Sequence, residues 1–277
     1  MSEMLKPIFS ELGLLSLIFS LGLMLENNFR RKLIQGSDLG LNLAAMLMGP
    51  IMIAFVVAPL VIHITPIVTA HAPWLKLSIP ADSLLWPLFV ASAFVINDFL
   101  YYWLHRAMHY FDFLWAMHSF HHADTSINVT TGGRVQLIEE FLRQLLVTLP
   151  VGLLVDFTTI PMTLAMSVGI FMYLLHIDLP ISWGRFGKVL ISPQYHRIHH
   201  SVEPKHYDRN FAALLPLWDI LFGTCHHPEP GEFPATGLSQ DYVHRSRLVD
   251  LFVPCSQARR ERRARDERAA GENSVLQ

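Results

Sequence analysis

Long apolar runs broken by short polar stretches dominate the first two thirds of this chain. An apolar helix of about 20 residues suffices to cross the hydrocarbon core of a bilayer. Five segments approach that length: Pro7–Leu25, Leu43–Val68, Ser83–Leu104, Leu137–Leu154 and Thr158–His176. Glu11 interrupts the first, and Pro50, Pro59 and Pro66 are expected to kink the second. The fourth opens on Glu139, Glu140, Arg143 and Gln144. Its first turns are therefore expected at the interface or inside protein, and it need not cross the whole bilayer. With the fifth it forms a hairpin turning near Asp156. The pattern predicts an all-α integral membrane bundle of four to five transmembrane helices. The first run has no basic head and no small-residue cleavage site, so it reads as a retained span rather than a signal peptide.

Beyond His176 the chain is more polar but keeps apolar pieces such as Phe211–Phe222. That region is expected to form a cytoplasmic helical cap, with helices lying on the membrane surface. Residues 1–255 thus read as a single membrane-embedded domain. Residues 256–277 are charged and poor in core-forming side chains, which predicts a disordered tail.

Composition supports the membrane reading. The chain is 277 residues long, 52% hydrophobic and only 16% charged, whereas soluble domains carry roughly 25% charged residues. Cytoplasmic loops carry the excess of Lys and Arg. Arg30-Arg31-Lys32 follow the first run, Lys76 stands alone after the second, Arg106 and Arg134 follow the third, and arginines crowd the end. These positions predict a multi-pass protein with its N-terminus outside and its C-terminus inside. The two cysteines, Cys225 and Cys255, make no disulfide framework and no CxxC pair. The run Arg259–Arg265 reads as a topology anchor with a solvated tail. No folded basic face accompanies it, so nucleic acid is not an expected partner.

Eight histidines form three tight groups: His105-x-x-x-His109, His118-x-x-His121-His122 and His196-x-x-His199-His200. A ninth, His176, ends an apolar run. Helical residues three and four apart share a face, so each group aims its imidazoles at a common point. Neutral imidazole is the commonest ligand for transition metals, and three groups offer too many donors for one tetrahedral ion. The economical reading is a two-metal centre. The charge rule, which takes no account of histidine, places all three groups on the cytoplasmic side.

Asp98 and Tyr102 share a helix stripe with His105 and His109. Asp98 is expected to accept a ring N–H from a ligand histidine, and Tyr102 is its companion candidate. Ser192-Pro193 predicts a capped helix start that would carry His196, His199 and His200. Asp124 has two readings, orienting a ring or making a local turn. His206 is a candidate for a supporting role, while His63, His71, His226, His227 and His244 read as interfacial or surface groups. Spacing alone leaves iron and zinc open. No glycine-rich nucleotide motif is present, and Gly184-Arg185-Phe186-Gly187 is no substitute.

The three histidine groups, together with Ser192-Pro193 and the stretch Asn210–Thr224, resemble the fatty acid hydroxylase/sterol desaturase superfamily in order and spacing from about Asn97 to Thr224. The resemblance implies an integral-membrane di-iron oxidoreductase that uses O2 on an aliphatic carbon of a lipid, with electrons from a separate donor. Its metal ligands would map onto His105, His109, His118, His121, His122, His196, His199 and His200. His176 matches an additional ligand at the end of a late span. Met172 stands where some relatives carry a further histidine, and Ala212 where they often carry glycine.

The expected activity is lipid hydroxylation, with sterol-type desaturation or methyl oxidation as the nearest rival. Two other classes remain open at this point: a histidine-rich membrane protein that handles metal ions, and a zinc hydrolase of membrane lipids. Transport would favour polar residues through the middle of several spans. Here the histidines crowd one end and the span middles are apolar.

Overall fold

The computed structural model describes residues 22, 24–25, 39–46, 55, 58–75, 77–155, 162–238, 248–256 and 258–275. Most of the first expected span, the first half of the second and the turn at Asp156 lie outside them. Among the described residues every regular element is a helix, and the extended pairings are two isolated bridges, Leu77–Val155 and Ser201–Thr236. In chain order the α-helices are α1 (Ala58–His71), α2 (Trp86–Tyr110), α3 (Asp112–His122), α4 (Leu137–Arg143), α5 (Leu149–Leu154), α6 (Met162–Leu174), α7 (Pro193–His199), α8 (Leu217–Leu221) and α9 (Ala258–Val275).

Helix α2 organises the rest. At 25 residues and about 1.5 Å rise per residue, it is about 37 Å long. Among the described residues it is the one helix both long and apolar enough to cross a membrane. Pro87 sits in its opening turn, where the missing N–H costs nothing. Phe111 ends it in extended conformation and begins α3 in the same residue. This tight joint folds α3 back on α2, so the histidines of both helices meet.

The expected fourth span is three pieces in the structure. Helix α4 passes through a π-helical turn, Gln144–Thr148, into α5. Glu139, Glu140 and Gln144 are buried, in line with an opening that faces protein. Farther on, Val151 and Val155 pack with Phe89, Val90 and Ala93 of α2.

The connection from α3 to α4 is fixed by polar contacts. The Asn128 side chain accepts from the Thr130 amide, and the Thr131 hydroxyl accepts from the Asn128 amide, a reciprocal capping box. Arg134 is fully buried. Its Nε donates to the Phe120 carbonyl at 3.0 Å, and its guanidinium lies 4.6 Å over the Phe120 ring.

The C-terminal segment corrects the expectation of disorder from residue 256: Ala258–Val275 form α9. Arg, Glu and Ala are strong helix formers, and the helix has somewhere to dock. Arg262 pairs with Asp112 at 3.1 Å. The Arg265 guanidinium lies 4.8 Å from the Trp115 ring and 4.3 Å from Tyr207. Charge alone was a poor guide because arginine also offers a planar, stackable face.

Gly132 marks a close approach to the site. A Cβ there would lie 2.8 Å from the Tyr173 ring and 3.1 Å from His176 Nδ1. Gly132→Ala is therefore expected to lower stability by about 1–3 kcal/mol, the cost of overpacking. A thermal midpoint equal to wild type would contradict this packing.

Candidate metal centre

All nine histidines singled out by the sequence converge. His105, His109, His118, His122 and His199 form one group, and His121, His176, His196 and His200 a second, with the candidate donor atoms in each group within 4.8 Å of one another. Every one of these rings is buried. Four chain segments deliver them: the last turns of α2, the last turns of α3, the residue beyond α6, and α7 with the residue that caps it. The start of α7 follows the expected chemistry, since Ser192 Oγ accepts from the Tyr195 amide at 3.1 Å and Pro193 occupies the first turn.

The two nitrogens of each ring have different surroundings. Nε2 atoms face one another: His105 and His118 at 3.0 Å, His109 and His122 at 3.1 Å, His121 and His176 at 3.3 Å, His176 and His196 at 2.9 Å, His196 and His200 at 3.2 Å. Nδ1 atoms point outward to acceptors. His105 Nδ1 donates to the Phe211 carbonyl at 2.7 Å, His199 Nδ1 to the Arg209 carbonyl at 2.8 Å, and His121 Nδ1 to the Arg134 carbonyl at 3.2 Å. His176 Nδ1 donates to Met172 at 3.1 Å, and His118 Nδ1 to Glu139 Oε1 at 2.8 Å. A donor on Nδ1 leaves the lone pair on Nε2, directed inward.

Burial holds the rings of His121, His122, His196, His199 and His200 neutral by pushing their pKa values down, His199 to about 3. Neighbouring imidazoles add to the shift in each case. His199 Nε2 is buried without a partner.

Two lone pairs facing each other at about 3 Å repel unless a cation or a proton lies between them. Around one ion with metal–nitrogen bonds of about 2.0–2.1 Å, donors sit about this far apart. The residues present therefore fit two imidazole-bound metal ions.

Asp98 departs from its expected role. It is completely buried, but it accepts from the amides of Ala213, Leu214 and Leu215 at 2.9–3.0 Å and from Trp218 Nε1 at 3.1 Å. No histidine ring reaches it; the loop after Phe211 folded around the carboxylate instead. Tyr102 bonds the Thr224 hydroxyl at 3.0 Å and accepts from Arg106 at 3.0 Å, so it ties α2 to the same region. Asp124 makes a local turn, accepting from the Ser126 amide and the Thr131 hydroxyl.

His206 bonds Ser201 and Glu232, and His226 bonds the other Glu232 oxygen. Lys205 and the Glu229 amide complete the Glu232 carboxylate, so this group is a satisfied polar clamp.

Three important side chains were not assigned from sequence. Glu139 orients His118; its signal was an ionisable group inside an apolar run. Asp219 accepts from the Phe211 and Ala212 amides and from Tyr195 and Thr224, which fixes the backbone whose Phe211 carbonyl holds His105. Asp208, in left-handed conformation at φ 55°, puts Oδ1 3.4 Å from His109 Nδ1. Arg265 of α9 lies 3.6 Å from the same oxygen.

Residues 90–224 match the fatty acid hydroxylase family. That segment, just under half of the chain, carries the match to the fatty acid hydroxylase/sterol desaturase superfamily. Among curated proteins it is similar to alkylglycerol monooxygenase of Danio rerio, 31% identical over 53% of this chain and 32% of the relative. The Caenorhabditis elegans alkylglycerol monooxygenase is 28% identical over 65% of this chain and 36% of its own length. The very-long-chain aldehyde decarbonylase CER1 of Arabidopsis thaliana is 26% identical over 46% and 21%. The chain thus spans about a third or less of these relatives. No solved structure matches it. In this family frame, α9 lies beyond the matched residues yet touches Trp115, whose ring is 4.9 Å from His109.

Asp98→Ala would leave three buried amides and an indole N–H unmatched, at about 1–3 kcal/mol for each unsatisfied group. The variant is expected to lose at least about 3 kcal/mol of stability. Unchanged denaturant resistance in detergent would refute this role for Asp98.

Proposed function

We propose that this chain is an integral-membrane di-iron oxygenase that hydroxylates an aliphatic carbon of a lipid, using O2 and electrons from a separate donor. The observation that carries the reading is the convergence of nine buried imidazoles in two groups of five and four, with Nε2 inward. The relatives are named for alkylglycerols and very-long-chain aldehydes, which supports a long-chain lipid substrate. In this reading the chain crosses the bilayer four or five times, and residues 1–255 form one domain. The histidine centre and the C-terminus lie on the cytoplasmic side.

The residues divide the work as follows. His105, His109, His118, His122 and His199 would hold one iron, and His121, His176, His196 and His200 the other. The bound irons supply the capacity to activate oxygen and oxidise an unactivated C–H bond. Overall, one oxygen atom would enter the product alcohol and the other would leave as water, with two electrons from the donor and two protons from solvent. Glu139 fixes the His118 ring, and the Arg134, Arg209 and Phe211 carbonyls fix others, so the donors need no rearrangement when metal binds.

A cavity of about 310 Å³ reaches His118, His121, His176 and His196 and is walled by Met108, Met172, Tyr101 and Tyr173. It touches residues of both groups, so a chain lying in it would run against the ligands of either metal. Positioning and exclusion of bulk water are the protein's part in the chemistry. Arg143 donates to Glu140 from the same wall, through Nε at 2.8 Å. This leaves a paired polar patch beside a passage that histidines and tyrosines share with Met46, Met108, Val135, Leu137 and Met172.

Anaerobic purification should return about two irons per chain, one for each group. His199→Ala and His196→Ala, one from each group, should each lower iron content and abolish oxygen-dependent product formation while the protein still inserts. A single tightly held zinc with oxygen-independent lipid cleavage would overturn the proposal. An alkene product in place of an alcohol would redirect it to desaturation.

Glu139→Ala should weaken metal retention by about 10–100-fold, the usual effect of removing a carboxylate that orients a ligand histidine. Dialysis against a graded chelator measures this, and wild-type retention would exclude the role.

A further inference from the structure

A second cavity, about 520 Å³, lies across α6 from the first. Phe171, Leu174 and Leu175 line it, whereas Met172, Tyr173 and the adjoining His176 line the histidine cavity. One stretch of chain therefore separates two compartments. The lining of the second is wholly apolar, and its volume falls in the range of ligand sites, about 300–1,000 Å³.

The outer wall is the segment Ile181–Leu190. Phe186 is 78% exposed, Val189 67% and Trp183 41%, a cluster that water solvates poorly. Interleaved with them are Arg185 and Lys188, both exposed. Neither makes an ion pair or side-chain hydrogen bond with a described residue. The wall is built rather than frayed. Trp183 and Gly184 turn the chain through positive φ, at 56° and 54°. Trp183 Nε1 donates to the Ile191 carbonyl at 3.0 Å. A Cβ on Gly187 would lie 2.5 Å from the Ser182 carbonyl oxygen, so that close approach needs glycine.

We propose that this groove binds an anionic phospholipid, with an acyl chain in the cavity and the phosphate between Arg185 and Lys188. Charge complementarity selects the headgroup, since each basic residue near an anionic surface contributes about 1 kcal/mol. The rigid indole, apolar on its body and polar at its Nε1, suits the boundary between chains and headgroups. The occupant is distinct from substrate because α6 stands between it and the imidazoles. It bears instead on the helix that carries His176 at its end, so occupancy supports the wall of the catalytic cavity from behind. This inference rests on the bilayer location included in the proposed function.

The test uses the full chain in nanodiscs of phosphatidylcholine containing brominated phosphatidylglycerol or brominated phosphatidylcholine. Subtracting the emission of Trp183→Phe isolates Trp183 from the other tryptophans. Brominated phosphatidylglycerol should quench Trp183 at a several-fold lower mole fraction than brominated phosphatidylcholine. Arg185→Glu with Lys188→Glu should abolish that preference while iron content stays at wild type. Phosphatidylglycerol co-purified with the protein, counted by mass spectrometry, should fall in parallel. Equal quenching by the two lipids, or emission quenched by aqueous iodide and not by either lipid, overturns the site. Alkaline extraction is run alongside. Release of the protein from membranes would overturn the bilayer reading itself, whereas retention without lipid preference overturns this inference alone.

Discussion

The structure depends on one electrostatic constraint: nine imidazoles are packed together away from water, eight of them nitrogen to nitrogen at separations near 3 Å. Taking so many polar groups out of water is costly unless each nitrogen has a partner. The outward nitrogens of His105, His121, His176 and His199 find theirs in carbonyls, and that of His118 in Glu139. Inward nitrogens face one another, an arrangement that a cation relieves. Burial suppresses protonation of rings such as those of His122 and His200, so the assembly resists the positive charge that would disperse it. Folding and metal affinity are therefore two aspects of one equilibrium.

The scaffold around that centre is chiefly a device for fixing carbonyl oxygens. Asp98 and Asp219 do not approach the rings. Between them they capture five backbone amides of residues 211–215 and thereby set the Phe211 carbonyl against His105. Two buried carboxylates satisfied by main-chain donors hold a non-helical loop still where no regular element could run. Across the centre, Arg134 does similar work by donating to the Phe120 carbonyl and presenting its own to His121. Four of the rings are thus aimed by backbone carbonyls, and His118 by the Glu139 side chain.

Much of this was legible in the sequence, for definable reasons. Histidines at spacings of three and four must share a helix face, so the groups were readable before any fold. The membrane-length run ending in His105 and His109 appeared as α2, and Ser192-Pro193 marked the start of α7. The roles of Asp98 and Glu139 were not legible. Both are acids in apolar runs, and periodicity cannot tell which will meet a ring and which will meet an irregular loop. That distinction is tertiary: the loop after Asn210 follows no period. Nor did composition anticipate α9, because a sequence rich in arginine and glutamate suits solvent and helix alike until Trp115 and Tyr207 offer it flat surfaces.

The π-helical turn at Gln144–Thr148 has a consequence for how this fold could diversify. An i→i+5 turn adds about one residue to the local repeat and rotates all that follows by about 100°. Upstream, Glu139 and Glu140 line the polar end of the histidine cavity; downstream, Val151 and Val155 pack against α2. The offset decouples the two faces, so residues that shape chemistry can drift while those that lock the bundle stay in register.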